Sequence, residues 1–288
     1  MMNRTMNILI TSLAPMIWGS SYIVTTQMLP NLDPITISVL RALPAGLLLL
    51  VLVRQFPKGM WIFKMLVLGA LNFAIFWALL FYSAYRLPGG VAAVLGALQP
   101  LVVIFAAYGL LGTSIRPLSM LAVLFGVLGI ALLILTPDAK LDMWGVVAGF
   151  IGASSMAFGV VLSRKWQPPV SALTFTAWQL TAGGVLLVPL TTFTTTDWST
   201  ITGINILGLS YLGLIGAAAT YAIWLRGIKL LQPSAVSILA LLSPVSATLL
   251  GWFILDETLS GLQLCGMCVV LCSVMLGQYA LRARPETV

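Results

Sequence analysis

The sequence predicts an all-α integral membrane protein, with ten transmembrane helices arranged as two inverted five-helix repeats and both termini in the cytoplasm. Three observations carry that prediction. The 288-residue chain is 60% hydrophobic and only 7% charged, against about 25% charged in a soluble domain, so its polar stock cannot cover an aqueous surface. Apolar runs of about 20 residues, each able to cross about 30 Å of hydrocarbon as a helix, recur along its whole length. The second half also repeats the first: Leu242-Ser243-Pro244 falls on Leu98-Gln99-Pro100, and Leu212-Gly213 on Leu68-Gly69, each 144 positions on (244 − 100).

The runs place helices at 7–27, 35–53, 61–86, 89–111, 118–135, 143–163, 171–192, 203–228, 232–254 and 260–282. A barrel would alternate in polarity every second residue, and no segment does. The first run follows Arg4 and is long, without a clear small-x-small cleavage site, so it reads as a retained helix and not a signal peptide. Charge supplies the orientation. With the N-terminus cytoplasmic, Arg4, Arg54, Lys58, Lys64, Arg116, Arg164, Lys165, Arg226, Lys229, Arg282 and Arg284 fall on the cytoplasmic side, and only Arg86 and Lys140 fall outside. Asp33, Asp138, Asp142, Asp197, Asp256 and Glu257 fall outside, and Glu286 alone inside. The net charge of +7 follows from this topology and from anionic headgroups, so the expected partners are the bilayer and a small-molecule substrate, with no nucleic acid.

The two halves, 1–137 and 138–288, hold five helices each, and an odd number makes the second enter the membrane from the opposite side. Early in each half the offset is shorter. Trp18-Gly19 matches Phe158-Gly159 at 140, and Arg41 with Ala45-Gly46 matches Gln179 with Gly183-Gly184 at 138; differing loop lengths absorb the drift. Inverted repeats of this kind build many secondary transporters, whose substrate site lies near the midplane where matched Gly or Pro interruptions meet. Helices four and nine carry such interruptions at Pro100 and Pro244.

These residues resemble a known family. A Trp-Gly in the first helix, an Arg in the second, a Tyr-Arg-Leu turn before a small-residue fourth helix with a mid-span proline, and "PVSATLLGWFILDETLSGLQLCGMCVVL" in the second half look like the EamA-type branch of the drug/metabolite transporter superfamily. The resemblance covers essentially the whole chain, and is most like the YddG-type amino-acid exporters. It implies a ten-helix exporter of small metabolites in the cell inner membrane. The first half departs from the pattern, with Gly112-Thr113 where the second has Asp256-Glu257.

Several residues are candidates for contact with a solute. Pro100 and Pro244 free the carbonyls a turn earlier and serve either as hinges or as static kinks. Gln99 and Ser243, just before them, offer an amide and a hydroxyl to a ligand or to a neighbouring helix. Arg41 is the only charge well inside a span. It either grasps a substrate carboxylate or snorkels and caps carbonyls nearby. Trp18, Trp77 and Trp178 lie deep, with Tyr82 and Tyr221 on helices three and eight, and suit a cavity for apolar or aromatic side chains, ordinary packing being the alternative. Asn72 should face protein or cavity. Trp61, Trp144, Trp166, Trp198 and Trp252 lie near span ends and read as interfacial anchors.

Cys265, Cys268 and Cys272 share one helix face without polar partners and read as packing residues. With no histidine anywhere, and no Asp or Glu near a span centre, the sequence offers neither a metal site nor a carboxylate proton relay. It also gives no base for serine chemistry at Ser20-Ser21 or Ser154-Ser155. No cofactor is expected. The function this leaves is export of small metabolites, foremost amino acids including aromatic or apolar ones, by alternating access around a midplane cavity. The alternatives are a channel-like pore lined by the same polar groups, and a flippase for lipid-linked carriers, which a cavity open sideways to lipid would favour.

Overall fold

The computed structural model describes residues 3–86, 95–134, 142–194, 196, 199, 201–256 and 260–281, and its described regular structure is entirely helical. The expected repeat boundary at 137/138 and the expected sides of Asp138, Lys140, Asp197, Trp198, Glu257, Arg282, Arg284 and Glu286 lie outside the described residues. Helix α1 runs Arg4–Gly19 and passes through Ser21–Ile23 into a π-helical turn, Val24–Met28. Helix α2 is Pro34–Val53. Helix α3 is built of Met60–Gly69, a π segment Ala70–Ala74, and Ile75–Arg86. Then come α4 (Leu95–Leu111), α5 (Pro117–Ile134), α6 (Met143–Lys165) and α7, which is Ala172–Leu187 tightening into a 3-10 turn, Val188–Phe193. Helix α8 is Gly203–Gly213, a π segment Leu214–Ala219, and Thr220–Leu230. Helix α9 is Pro233–Leu239 and Leu242–Ile254, and α10 is Gly261–Ala280. Among the described residues eight of these are long and apolar enough to cross a membrane, and α4 and α5 are shorter apolar helices.

Charged and polar residues set where the helices begin and end. Asp33 accepts the Ile35 and Thr36 N–H groups (2.8 and 3.3 Å) at the start of α2, and Asp142 accepts from Gly145 N (2.7 Å) at the start of α6. Ser260 and Gln263 form a reciprocal capping box on α10. At helix ends the orphan carbonyls are taken by cations. Arg116 Nη1 donates to Ala280 O (2.6 Å), Arg4 Nη2 to Gln278 O (3.2 Å), and Arg164 Nη1 to Ile228 O and Lys229 O. With Arg226 Nη2 of α8 donating to Asn7 Oδ1 of α1 (3.1 Å), these contacts gather the starts of α1 and α5 and the ends of α6, α8 and α10 at one end of the bundle. Arg86 pairs with Asp142 (3.6 Å) at the end where α3 finishes and α6 begins. The charge bias read from the sequence is therefore also a set of helix caps.

The two matched prolines sit at helix starts, not in mid-helix. The ladder is interrupted at Leu98 in α4 and at Ala240 and Leu241 in α9. Gln99 and Pro100 thus open a fresh helical stretch, and Pro244 lies in the first turn of Leu242–Ile254. A first-turn proline lacks only an N–H that has no intrahelical partner, so the roughly 3 kcal/mol cost of an interior proline does not arise. The irregularity is the break itself. The π segments of α3 and α8 also begin 144 positions apart (214 − 70).

Helix contacts follow the same offsets. Helix α2 packs along α7, and α5 along α10; α1 rests on α8 and α9, as α6 rests on α3 and α4. The close approaches are reciprocal. A β-carbon on Gly46 would meet Thr181 backbone N at 2.5 Å, and one on Gly184 would meet Leu43 Cα at 2.8 Å; 46 matches 184, and 43 matches 181, at the offset of 138. Gly126 abuts Ser273, and Gly129 abuts Val270, a pair exchanged by the offset of 144.

The departure at Gly112 has a backbone reason. Gly112 ends its helix at φ 69°, and Asp256, 144 positions on, has φ 53°. Both positions require the left-handed region, which Gly adopts freely and Asp tolerates. The shared requirement is conformational, not acidic. Open space surrounds Gly112, so Gly112→Asn should leave the melting temperature of the purified protein nearly unchanged. Gly112→Val should cost about 1–2 kcal/mol, the usual penalty for a side chain in that region.

Candidate functional site

Four helices meet at a group of aromatic rings around one arginine. Trp18, at the end of the first stretch of α1, packs its ring 5.0 Å from Tyr221 and 5.0 Å from Trp224. Tyr221 lies 4.7 Å from Phe73 of the α3 π segment, and Phe73 meets Trp77 edge-on at 5.3 Å. The Arg41 guanidinium of α2 stands 5.1 Å from the centroid of Trp77. A cation over a desolvated indole face is worth about 2 kcal/mol, less than the cost of placing a lone arginine at membrane depth, about 2.5–3.5 kcal/mol even on the lower scale.

A hydrogen-bonded chain closes the group. Trp18 Nε1 donates to Thr220 Oγ1 (2.9 Å), Thr220 Oγ1 donates to Gly216 O (2.9 Å), and Arg41 Nη2 donates to the same carbonyl (2.7 Å). Gly216 lies inside the Leu214–Ala219 π segment. A π turn disturbs the regular i+4 ladder and presents carbonyls to side-chain donors, and such turns concentrate at functional sites. The small residues Gly213, Gly216, Ala217, Ala218 and Ala219 let Arg41 and Thr220 reach the backbone there. Arg41 Nε is buried and has no hydrogen-bond partner. Among the described residues the only ion pair is Arg86 with Asp142, so Arg41 has no acidic counterpart there.

Asn72 marks the matched position in α3, 144 before Gly216. Its Nδ2 donates to Gln179 Oε1 (2.8 Å) and lies 3.3 Å from Ser163 Oγ. Gln179, the residue matched to Arg41, therefore meets the α3 π segment as Arg41 meets that of α8. Its Nε2 is buried without a partner. One of the two equivalent contacts is cationic and the other neutral.

The remaining sequence candidates are placed differently. Tyr82 is 43% exposed, with Arg86 4.7 Å over its ring, at the Arg86–Asp142 end and away from the ring group. Trp178 is buried, but its Nε1 donates to Gln55 O (2.6 Å) and its ring lies 6.5 Å from Trp61, so it fixes the connector between α2 and α3. Gln99 is buried at the α4 break with its Nε2 unpartnered. Ser243 is half-buried at the α9 break, and its carbonyl lies 2.7 Å from where a Gly19 β-carbon would stand. Pro100 is buried and Pro244 half-buried. Phe73, Thr220, Trp224 and Gln179 were not among the sequence candidates. One available signal was that Trp77 and Tyr221 are themselves 144 apart, which marks their two helix segments as equivalent; nothing comparable pointed to Phe73. No group of three His, Cys, Asp or Glu side chains able to hold a metal occurs among the described residues.

A bundle of apolar helices with an arginine bonded to a π turn among aromatic rings defines a multi-pass membrane protein with a polar site at depth. The chain belongs to the EamA-like transporter family, whose sequence profile matches residues 5–135 and 143–277. It is similar to protein PecM of Dickeya dadantii, 41% identical over 267 residues, covering 92% of this chain and 90% of that protein. It is also similar to the uncharacterized inner membrane transporter YedA of Escherichia coli, 28% identical over 279 residues, covering 93% and 90%. A protein of known crystal structure shares the fold with a TM-score of 0.81 at 19% identity, covering 97% of this chain and 99% of that one.

Proposed function

We propose that the protein is an inner-membrane secondary carrier that exports amino acids with apolar or aromatic side chains by alternating access. Its ten helices form two inverted repeats, 1–137 and 138–288, with both termini cytoplasmic. Two profile matches in tandem, π segments 144 residues apart, and reciprocal contacts at Gly46/Gly184 and Gly126/Gly129 support the repeat. The basic end formed by Arg4, Arg116 and Arg164 supports the orientation.

The observation that carries the substrate reading is Arg41, a part-buried guanidinium whose buried Nε has no partner, with no acidic counterpart among the described residues and with rings around it. A carboxylate supplies the missing charge through charge-assisted hydrogen bonds. The rings of Trp18, Phe73, Trp77 and Tyr221 take the apolar side chain. Gln99 and Ser243 reach the solute from the breaks of α4 and α9, Asn72 with Gln179 forms the neutral counterpart contact, and Pro100 and Pro244 start the segments that swing. Tyr82 and Trp178 stand outside this group and take no part in holding the solute. Anion binding at Arg41 competes with Gly216 O, so it loosens the π segment that holds Tyr221 and Trp18, which ties occupancy to conformation.

Counterflow in proteoliposomes tests this. Phenylalanine loaded inside should accelerate entry of labelled phenylalanine, because a carrier returns faster loaded than empty; equal rates with and without internal solute would mean a pore. Trp18→Ala should weaken phenylalanine counterflow more than alanine counterflow, by about tenfold for loss of one ring contact plus its buried area. An unchanged ratio would remove Trp18 from the site.

A further inference from the structure

We propose that the seam between α2 and α8 is a lateral site for single-chain amphiphilic carboxylates, with the alkyl chain in a groove on the lipid side and the head group on Arg41. The proposal rests on the reading of Arg41 as a carboxylate contact and widens its substrate class.

The groove encloses about 300 Å³ and is walled by Leu40, Pro44 and Leu48 of α2 and Leu209, Gly213 and Leu214 of α8. Leu48 and Leu214 are 45% and 46% exposed, so the groove opens on the outer face of the bundle. One hydroxyl, that of Ser210, is its only polar side chain. Its floor is thin. Open space surrounds Gly213 except for Arg41 O, 3.5 Å from where a β-carbon would stand, and the Ala45 Cβ at 3.9 Å. The Ala45 methyl is the one side-chain atom within 4 Å of that point among the described residues, so the seam between the two backbones is lightly filled there.

Helical spacing ties the groove to the cation. Pro44, Ala45 and Leu48 follow Arg41 at i+3, i+4 and i+7, and so share its face of α2. Gly213 precedes Gly216 by three on α8, and Leu214 is the first residue of the π segment whose carbonyl Arg41 holds. The stripes that wall the groove therefore carry Arg41 and its partner. Charge complementarity selects the occupant. An apolar trough on the same helix stripes as a guanidinium with an unpartnered Nε matches a hydrocarbon chain ending in a carboxylate. A neutral alcohol of the same length would leave the charge unmatched, and a short zwitterion would leave the trough to bulk lipid.

The test is equilibrium binding of labelled dodecanoate, dodecanol and phenylalanine to the full chain in nanodiscs. Dodecanoate should bind saturably and at least about tenfold more tightly than dodecanol, the difference one charge-assisted hydrogen bond makes. Ser210→Phe, which fills the groove from an exposed position, should weaken dodecanoate by about tenfold or more and leave phenylalanine within about twofold. A diazirine-bearing alkyl carboxylate should label peptides from 40–48 and 206–214, and unlabelled dodecanoate should suppress that labelling; this reads the site without relying on a variant's folding. Non-saturable dodecanoate binding, labelling elsewhere, or equal losses for both ligands in Ser210→Phe would overturn the groove site. Phenylalanine binding without dodecanoate binding overturns this proposal and leaves the amino-acid reading standing. The reverse result overturns the amino-acid reading and leaves the groove.

Discussion

Arg41→Gln proteoliposomes should show phenylalanine counterflow with an apparent affinity lowered by about ten- to a hundredfold, because a hydrogen bond to a charged group contributes about 1.5–3 kcal/mol and each 1.4 kcal/mol is tenfold. The folded yield should change far less. Removing an unpaired cation from membrane depth relieves a desolvation cost of at least about 2.5 kcal/mol, which offsets the loss of the bond to Gly216 O and of the contact with the Trp77 face. If Arg41 serves only to hold the α8 π segment, the outcome inverts: yield and melting temperature drop, and whatever protein survives transports with unaltered affinity. Arg41→Lys separates charge from shape. An ammonium keeps the charge but not the planar fork that engages a carboxylate through two parallel hydrogen bonds, so it should recover only part of the affinity.

Much of the fold was legible because the bilayer imposes it. A chain with 7% charged residues and apolar runs near 20 residues leaves little alternative to membrane helices, and every predicted span overlaps a helix in the structure. The irregular backbone was not legible. No residue type marks a π turn: Ala70–Ala74 reads Ala-Leu-Asn-Phe-Ala and Leu214–Ala219 reads Leu-Ile-Gly-Ala-Ala-Ala, with no shared signature that sets them off from the helix on either side. The prolines were read as interior kinks because sequence shows where a proline sits but not where the ladder stops before it.

The site was legible in part. Trp18, Arg41, Trp77 and Tyr221 stood out as polar or amphipathic groups at depth, and the structure brings them together. Tyr82 and Trp178 stood out for the same reason but meet other partners, Arg86 and the α2–α3 connector, because depth along a helix says nothing about which neighbour that face meets. Phe73 was hidden among other apolar residues, and nothing in its sequence neighbourhood marks it as the ring that stands between Trp77 and Tyr221.

Gly46→Ala and Gly184→Ala should each lose most of the folded protein, and to a similar extent. At Gly46 the added β-carbon would meet Thr181 N at 2.5 Å and Leu180 C at 2.9 Å; at Gly184 it would meet Leu43 Cα and N at 2.8 Å. Backbone atoms cannot rotate away as a side chain does, so the penalty lies at or above the roughly 1–3 kcal/mol typical of overpacking. In a membrane, where close backbone approach takes the place of a hydrophobic drive between helices, α2 and α7 have little else to hold them. Gly109→Ala, in the last turn of α4 with nothing near its β-carbon position, is the control and should be neutral or stabilising by up to about 0.5–1 kcal/mol. Fluorescence size-exclusion profiles of the three variants decide the matter. The near-equality of the two losses is the informative part, because positions exchanged by an internal two-fold press on the same interface from opposite sides. A severe loss at one with full tolerance at the other would leave the packing of α2 on α7 intact and the symmetry between the halves unsupported.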